Sequence, residues 1–146
     1  MKIVICASVD LTPQIKEIKE ALEKMGHQTE IPFVSQKIIA GEIALADFLA
    51  VKAKEGDASF RQAVGEDLIK RYYHRIKDSD AILVVNGDKR GVKNYIGGNV
   101  FLEMGFAYTM NKQIFLLNPI PELSYSDEIK AMQPVIINGD LSRISI

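Results

Sequence analysis

The chain has 146 residues, of which 47% are hydrophobic and 25% charged, and its formal net charge is −1. This length is typical of one domain with a core of its own, and the composition excludes a disordered protein. The near-neutral charge argues against binding to nucleic-acid polymers or anionic membranes, and no segment approaches the ~18 apolar residues of a membrane span. A single cysteine, Cys6, excludes an intramolecular disulfide and a cysteine-based zinc cluster. We therefore expect one cytoplasmic domain over residues 1–146, with no metal and no other cofactor.

The first elements of the chain are predicted to be a strand and a helix. Residues 2–7 are apolar after Lys2 and rich in β-branched side chains, which is typical of a strand buried on both faces. Residues 11–25 carry apolar side chains at helical spacing. Thr12, which precedes Pro13, is the predicted N-cap of this helix, and Gly26 is its predicted end.

The middle of the chain is predicted to be helical between two strands. A short strand is expected over residues 28–31, and residues 32–61, rich in Lys, Glu and Ala, favour one or two short helices. Another helix is predicted from about Phe60 to Lys77, where apolar residues recur at helical spacing. Residues 81–85, AILVV, form the strongest candidate for a buried strand.

The last part of the chain continues this alternation. The loop 86–98 is followed by a predicted helix over residues 99–111 and a strand over residues 113–117. A short helix over residues 126–132 and an edge strand over residues 135–137 complete the prediction. Alternating strands and helices predict an α/β fold, a flavodoxin-like or Rossmann-like doubly wound sheet of about five parallel strands with helices on both faces.

The loop 86–98 is the predicted ligand-binding segment. Ligands of open parallel sheets bind beyond the carboxyl ends of the strands, and this long, glycine-rich loop leaves the central strand and enters a helix N-terminus. A solvated loop with ordinary turn glycines explains the same residues, and neither GxGxxG nor a Walker A pattern is present. The loop's basic residues, which either bind a phosphate or form an exposed charged surface, are Lys89, Arg90 and Lys93.

The predicted helix 99–111 is apolar on two sides. A helix that is apolar nearly all round is buried from both sides, so in a domain this small the second side predicts a partner subunit in a homodimer or higher homo-oligomer. The stripe expected to face the sheet contains Val100, Phe101, Met104, Ala107 and Tyr108, and the second stripe contains Leu102, Phe106 and Met110.

Glu103 is a carboxylate within this apolar helix. Burying a charge is costly, so such a residue needs a partner or a function. Its position leaves two interpretations open, a functional carboxylate or a glutamate stabilised by the helix dipole or by a lysine.

Two segments carry a resemblance to a known family. Residues 79–86 have the sequence SDAILVVN, and residues 103–107, EMGFA, fit the pattern E-x-G-[YF]-A. With the glycine-bearing loop between them, and over about residues 79–118, they resemble the nucleoside 2-deoxyribosyltransferase superfamily, whose members include N-glycosidases of deoxynucleoside monophosphates. The resemblance implies cleavage or transfer of an N-glycosidic bond of a nucleoside or nucleotide, a small-molecule substrate.

The resemblance also implies roles for two carboxylates. Glu103 corresponds to the nucleophile that attacks the anomeric carbon of the sugar, and we expect the start of the helix to keep it ionised. The family's strand-proximal aspartate, which would protonate the departing base, corresponds to Asp80. An aspartate at this place can equally cap the preceding helix or meet solvent.

The segment before the helix departs from the family. Transferases of the family carry D-x-G-T there, and its aspartate lies six residues before the nucleophile; this chain has Gly97 at that position. In the family the first strand ends in an aromatic residue and Gly-Pro, whereas in this chain it ends in Cys-Ala-Ser. These departures favour a nucleotide hydrolase, or a non-catalytic nucleotide-binding, sensing or interaction module, over a base-swapping transferase. Cys6 is expected to be core packing, since no His or Lys neighbours it in sequence. The residues expected to bind sugar or 5′-phosphate are Ser8, Asn86, Gly87, Gly97, Gly98 and Asn99, with Lys89, Arg90 and Lys93 as further phosphate ligands.

Overall fold

The chain folds as a doubly wound α/β sheet, as predicted. The computed structural model describes the backbone of residues 1–64 and 67–145 and the side chains of residues 1–54 and 67–145. In this part of the chain, five parallel strands pair in the order β2-β1-β3-β4-β5, which is the flavodoxin-like order. The strands are Lys2–Cys6 (β1), Gln28–Glu30 (β2), Ala81–Val84 (β3), Gln113–Leu116 (β4) and Val135–Ile136 (β5).

Helices cover both faces of the sheet. One face packs against α1, and the other packs against α4, α5 and α6. None of the helices in the described ranges is long and apolar enough to cross a membrane. The helices are Thr12–Lys24 (α1), Phe33–Ile39 (α2), Leu45–Val64 (α3), Leu68–Lys77 (α4), Gly98–Thr109 (α5) and Ser126–Ala131 (α6).

The alternation of side chains along β1 decides which residues meet the later helices. Successive residues of a strand point to opposite faces. Ile3 and Ile5 accordingly pack on the α1 side, whereas Val4 and Cys6 pack in the cluster that α4 and α5 complete. The register thus turns the buried Cys6 side chain towards α5, the helix that carries Glu103.

The prediction that Thr12 is the N-cap of α1 is wrong. A short 3-10 turn, Val9–Leu11, precedes the helix, so that Leu11 occupies the N-cap position and Thr12 is already helical. The Thr12 hydroxyl instead donates to the carbonyl oxygen of Val9 at 2.6 Å and lies 2.9 Å from the Ser35 hydroxyl. The predicted end at Gly26 is confirmed, since this glycine has a φ of +91° directly after the helix.

The prediction of one helix from about Phe60 to Lys77 is also wrong. The backbone of residues 60–64 belongs to α3, and α4 begins only at Leu68. Residues 65 and 66 lie outside the described residues. The N-cap Asp67 accepts a hydrogen bond from the Lys70 N–H at 3.2 Å, which favours a new helix start over a continuous helix.

Helix α5 is buried on its sheet side and partly covered on its second side. Val100, Met104 and Ala107 are buried as predicted, but Tyr108 is 51% exposed, which contradicts its predicted burial. A tyrosine at the end of a helix can keep its hydroxyl in water while its ring covers apolar surface. On the second side, the ring of Phe106 packs edge-on against Tyr73 of α4 at 5.3 Å between centroids. Helix α4 of the same chain therefore covers part of the second apolar stripe of α5.

Candidate active site

A cavity of about 360 Å³ opens at the carboxyl edge of the sheet, where doubly wound folds bind their ligands. The segments that leave β1 and β3 and the start of α5 form one part of its wall, and residues of α2, α3 and α4 form the other. The charged side chains that line it in the described part of the chain are Lys52, Arg71, Lys89, Arg90 and Glu103.

Glu103 lies in the second turn of α5 and faces this cavity. It is half-buried, and its helical neighbours Val100, Met104 and Ala107 are apolar and buried. Burial raises the pKa of the Glu103 carboxyl to about 8, and a hydrogen bond from the Cys6 thiol opposes this shift. Within the described residues Glu103 forms no ion pair.

The expectation that the helix start keeps Glu103 ionised is wrong. The stabilisation of an anion by the helix dipole falls off within the first turn, and Glu103 is one turn further along. The loss of hydration on burial is the larger effect, because it disfavours the charged form of a carboxyl group. The group is consequently mostly neutral at pH 7.

A second polar group of residues, which we call the rim cluster, consists of Ser8, Asp10, Lys52 and Lys89, and all of these except Asp10 line the cavity. The Lys89 ammonium lies 3.2 Å from one oxygen of Asp10 and donates to the Ser8 hydroxyl at 2.9 Å. The Lys52 ammonium lies 3.6 Å from the other oxygen of Asp10, to which the Ser8 hydroxyl donates at 3.2 Å. Two ammonium groups therefore share one carboxylate.

The charges of the rim cluster shift one another's titration. Partial burial raises the pKa of Asp10, but the hydrogen bond from Lys89 and the charge of Lys52 outweigh it, so that the pKa lies below its ordinary value. Burial and the nearby charge of Lys52 lower the pKa of Lys89. The cluster carries a net positive charge at neutral pH and is suited to an anionic ligand group.

The predicted ligand loop is an ordered hairpin. Lys89 and Val92 exchange backbone hydrogen bonds of 3.1 and 2.9 Å, and Arg90 and Gly91 have φ values of 54° and 71°, as the central residues of a type I′ turn do. This turn places Lys89 in the rim cluster and Arg90 on the cavity wall. Lys93, the third predicted phosphate ligand, is exposed and does not line the cavity.

Of the other predicted binding residues, five line the cavity and Asn86 does not. Ser8, Gly87, Gly97, Gly98 and Asn99 line the cavity, and the last three bring the N-terminus of α5 to it.

Asn86 is fully buried and does not line the cavity, contrary to its predicted contact with the ligand. Its amide nitrogen donates to the carbonyl oxygens of Asn118 and Pro119 at 3.0 Å each, and its amide oxygen accepts from the Asn118 N–H at 2.9 Å. The side chain thereby joins the ends of two neighbouring strands.

Asp80 lies at the opposite edge of the sheet. It precedes β3, and its carboxylate accepts the backbone N–H of Lys2 at 2.7 Å. The length of a four-residue strand, roughly 13 Å at about 3.3 Å per residue, separates it from the carboxyl edge. The structure therefore does not bring Asp80 to Glu103, and the expected delivery of a proton from Asp80 to the departing base does not fit this geometry.

The charged residues of this site that the sequence patterns did not single out are Asp10, Lys52 and Arg71. Asp10 follows β1 closely, so its place at the carboxyl edge was accessible from the strand order. Lys52 belongs to the segment 32–61, where no motif distinguishes it from the other lysines. No group of His, Cys, Asp and Glu in the described ranges is arranged to hold a metal ion.

Comparisons with known proteins agree with the fold. No protein-family model matches the chain, and no curated protein matches it in sequence. Among solved structures it is similar to a 2-deoxyribosyltransferase of the psychrotolerant bacterium Bacillus psychrosaccharolyticus, a biocatalyst for nucleoside synthesis, with a TM-score of 0.54 and 16% identity over 93% of this chain and 98% of that chain. The two chains share a deoxyribosyltransferase-like α/β fold.

Proposed function

We propose that the protein cleaves or transfers the N-glycosidic bond of a nucleoside or nucleotide, with Glu103 as the nucleophile. The observation that supports this most strongly is the half-buried Glu103 carboxyl group, which faces a cavity at the carboxyl edge of the sheet. The similarity of the fold to that of a 2-deoxyribosyltransferase supports the same class of reaction. We treat residues 1–146 as one domain of this kind.

In this reaction the Glu103 carboxylate forms a bond to the anomeric carbon while the bond from that carbon to the base breaks. The bonding electrons leave with the base, which takes a proton from water in the open cavity, since Asp80 lies at the other edge. Attack by water on the glycosyl–glutamate ester completes hydrolysis, and attack by a second base completes transfer. A carboxylate in apolar surroundings also stabilises the oxocarbenium-like transition state.

The rim cluster favours a nucleotide over a nucleoside. Lys52, Lys89 and Arg90 line the cavity, as do the first residues of α5, whose N–H groups favour an anion. These cations lie on α3 and on the hairpin, whereas Glu103 lies in the second turn of α5, beyond the N-terminus of that helix. In a nucleoside 5′-monophosphate, the sugar ring likewise separates the phosphate from the anomeric carbon. We therefore assign the phosphate to the rim cluster and the anomeric carbon to Glu103.

A second function, binding of a nucleotide without catalysis, is favoured by one observation. With a pKa of about 8, the Glu103 carboxyl is mostly neutral at pH 7. A neutral carboxyl is a poor nucleophile but a good hydrogen-bond donor to a base or sugar. A sensing or interaction module on this fold would use the same cavity.

The two functions are distinguished by measuring released base. The wild type and Glu103→Gln are incubated with deoxynucleosides and deoxynucleoside 5′-monophosphates, with and without a second free base, and the products are separated by chromatography. We expect the wild type to release base from monophosphates and Glu103→Gln to release it at least roughly a thousandfold more slowly. Absence of base release from all substrates, together with tight nucleotide binding that Glu103→Gln leaves unchanged, would establish the binding module. A new nucleotide formed only when the second base is present indicates transfer.

We also propose a homodimer or higher homo-oligomer that forms through the helix 99–111. Leu102 and Tyr108 of this helix are 41% and 51% exposed, and this exposed surface supports a contact with a second copy. Sedimentation at micromolar concentration is expected to give a dimer or larger species, and a monomer contradicts the proposal. The partners expected are this second copy and a small molecule, not a nucleic-acid polymer or a membrane, and the cytoplasmic location stays a prediction.

A further inference from the structure

The hydroxyl groups that line the cavity in the described part of the chain belong to Ser8, Tyr72 and Tyr95. The Ser8 hydroxyl is engaged in the rim cluster, and the Tyr72 hydroxyl donates to the carbonyl oxygen of Ile5 at 2.6 Å. The Tyr95 hydroxyl has no hydrogen-bond partner among the described residues. Because a phenol can both donate and accept, this group is available to a ligand in the cavity.

The backbone around Tyr95 is anchored on both sides of the residue. The Tyr95 N–H donates to the carbonyl oxygen of Gly87 at 3.0 Å, and the carbonyl oxygen of Ile96 accepts the hydroxyl of Tyr125. The Ile96 side chain is buried in the core that packs against α5. Since the ring of Tyr95 is attached to a fixed backbone, a ligand that contacts it loses little binding energy to ordering.

The Tyr95 ring occupies the space that a side chain at position 97 would need. A Cβ atom at Gly97 would lie 3.3 Å from Cε1 and 3.8 Å from the hydroxyl oxygen of Tyr95, and the first distance is closer than an ordinary van der Waals contact. The transferases that this chain resembles have an aspartate at this position. Here the glycine leaves room for the ring, and the tyrosine hydroxyl supplies a polar group at the same place.

The position of Tyr95 indicates which part of a nucleotide it would contact. The guanidinium carbon of Arg90 lies 6.0 Å from the centre of the ring, and Gly97, against which the ring packs, is the N-cap of α5. Glu103 follows roughly 9 Å further along the helix, at about 1.5 Å per residue. With the phosphate at the rim cluster and the anomeric carbon at Glu103, the sugar ring spans this interval. The free hydroxyl group that ribose and 2′-deoxyribose both carry in a 5′-nucleotide is the 3′-hydroxyl.

We propose that the Tyr95 hydroxyl binds the 3′-hydroxyl group of the substrate sugar, which makes Tyr95 a specificity-determining residue for nucleotides in which this group is present. This inference rests on the proposed function, which places the phosphate and the anomeric carbon. A neutral phenol suits a hydroxyl group, since each can donate to the other, whereas the cations of the rim cluster suit the charged phosphate.

The experiment compares nucleotides that differ only at the 3′ position. The probes are the 2′-deoxy- and 2′,3′-dideoxynucleoside 5′-monophosphates of adenine, guanine, cytosine and thymine, and isothermal titration calorimetry measures their binding. All variants carry Glu103→Gln so that the nucleotide stays intact. Tyr95→Phe removes the hydroxyl and keeps the ring beside Gly97. Tyr108→Phe is the matched control, because Tyr108 loses the same group but does not line the cavity.

The expected result is a loss of affinity that depends on the 3′-hydroxyl. We expect Tyr95→Phe to raise Kd for the tightest-binding 2′-deoxynucleotide about threefold to tenfold, as the loss of one neutral hydrogen bond does, and to change Kd for its dideoxy counterpart less than twofold. Tyr108→Phe should change neither Kd. The proposal is overturned if Tyr95→Phe weakens both nucleotides equally or weakens neither, and equally if none of the eight nucleotides binds.

A kinetic measurement with Glu103 intact separates this proposal from the proposed function. A wild type that releases no base overturns the proposed function, whereas the calorimetric comparison still decides whether Tyr95 binds the 3′-hydroxyl. In an active wild type, we expect Tyr95→Phe to lower kcat/KM for deoxynucleoside 5′-monophosphates about threefold to tenfold without moving the pH profile. An unchanged kcat/KM contradicts the contact.

Discussion

Each of two edges of the sheet holds a carboxyl group, and the two groups differ in their exposure to solvent and in their surroundings. At the amino edge, Asp80 is exposed and accepts the backbone N–H of Lys2 at 2.7 Å. At the carboxyl edge, Glu103 is half-buried among apolar side chains, faces a cavity and has a pKa raised to about 8 by burial. The Asp80 carboxylate hydrogen-bonds to a strand. The Glu103 carboxyl group lies where burial disfavours its charged form, and such perturbed groups cluster at functional sites.

The largest expected difference between the two edges is in activity. We expect Glu103→Gln to reduce base release roughly a thousandfold or more, because an amide cannot form the glycosyl ester. Asp80→Asn is expected to stay within about twofold of the wild type, since its carboxylate lies at the far edge. Initial rates of base release measure both, with circular dichroism as the check on folding. A loss of similar size in Asp80→Asn would contradict the prediction that Asp80 takes no part in the reaction.

The second effect is on the pH dependence of the rate. If the ionised Glu103 is the nucleophile, the rate rises about tenfold per pH unit below pH 8 and levels off above it, because the pKa of about 8 governs the ionised fraction. Asp80→Asn should keep this profile. A rate that falls as the pH rises through 8 would instead assign Glu103 the role of an acid.

Much of the fold could be predicted because it depends on local pattern. The apolar sequences of residues 3–6 in β1 and of β3, together with the helical spacing of α1, predict the alternation that produces the parallel sheet. The apolar surroundings of Glu103 were also visible in sequence, since its neighbours at helical spacing are apolar.

The parts that were missed depend on tertiary contacts. The pairing of Asp10 with Lys52 and Lys89 joins three separate segments, and no spacing in the sequence encodes it. The charge state of Glu103 was misjudged because the helix dipole can be anticipated from position, whereas the larger effect of burial requires the packed cavity wall. The position of Asp80 before a parallel strand places it at the amino edge of the sheet, which disagrees with the role that the resemblance to a family implies for it.

The third effect is on stability and has opposite signs at the two edges. The folded state keeps Glu103 protonated up to about pH 8, whereas the unfolded chain ionises it near 4.5, so the free energy of unfolding falls as the pH rises between these values. Glu103→Gln removes this penalty and is expected to raise the free energy of unfolding at pH 8 by on the order of 2 kcal/mol, less than the full shift implies because the cavity admits solvent.

The same comparison gives the control. The gain from Glu103→Gln should shrink as the pH falls towards 5. Asp80→Asn replaces a charged acceptor by a neutral amide oxygen that can still accept the Lys2 N–H, so it should destabilise by at most about 1 kcal/mol. Urea denaturation at pH 5 and pH 8 measures both variants. A destabilised Glu103→Gln at pH 8 would mean that the carboxylate is held by favourable interactions rather than tolerated for function.

The smallest expected effect is on KM and concerns the carboxyl edge alone, where it separates the role of the rim cluster from that of Glu103. Lys89→Met removes a cation from the rim cluster while the backbone hydrogen bonds of the hairpin remain, so we expect KM for a nucleoside 5′-monophosphate to rise about tenfold and KM for the nucleoside to change little. Lys93→Met is the matched control, since Lys93 has the same charge in the same loop but is exposed and away from the cavity. Because kcat depends on Glu103, neither lysine variant should lower it. Equal effects of the two variants on KM would show that the loop attracts phosphate by its overall charge, and the assignment of phosphate to the rim cluster would then be wrong.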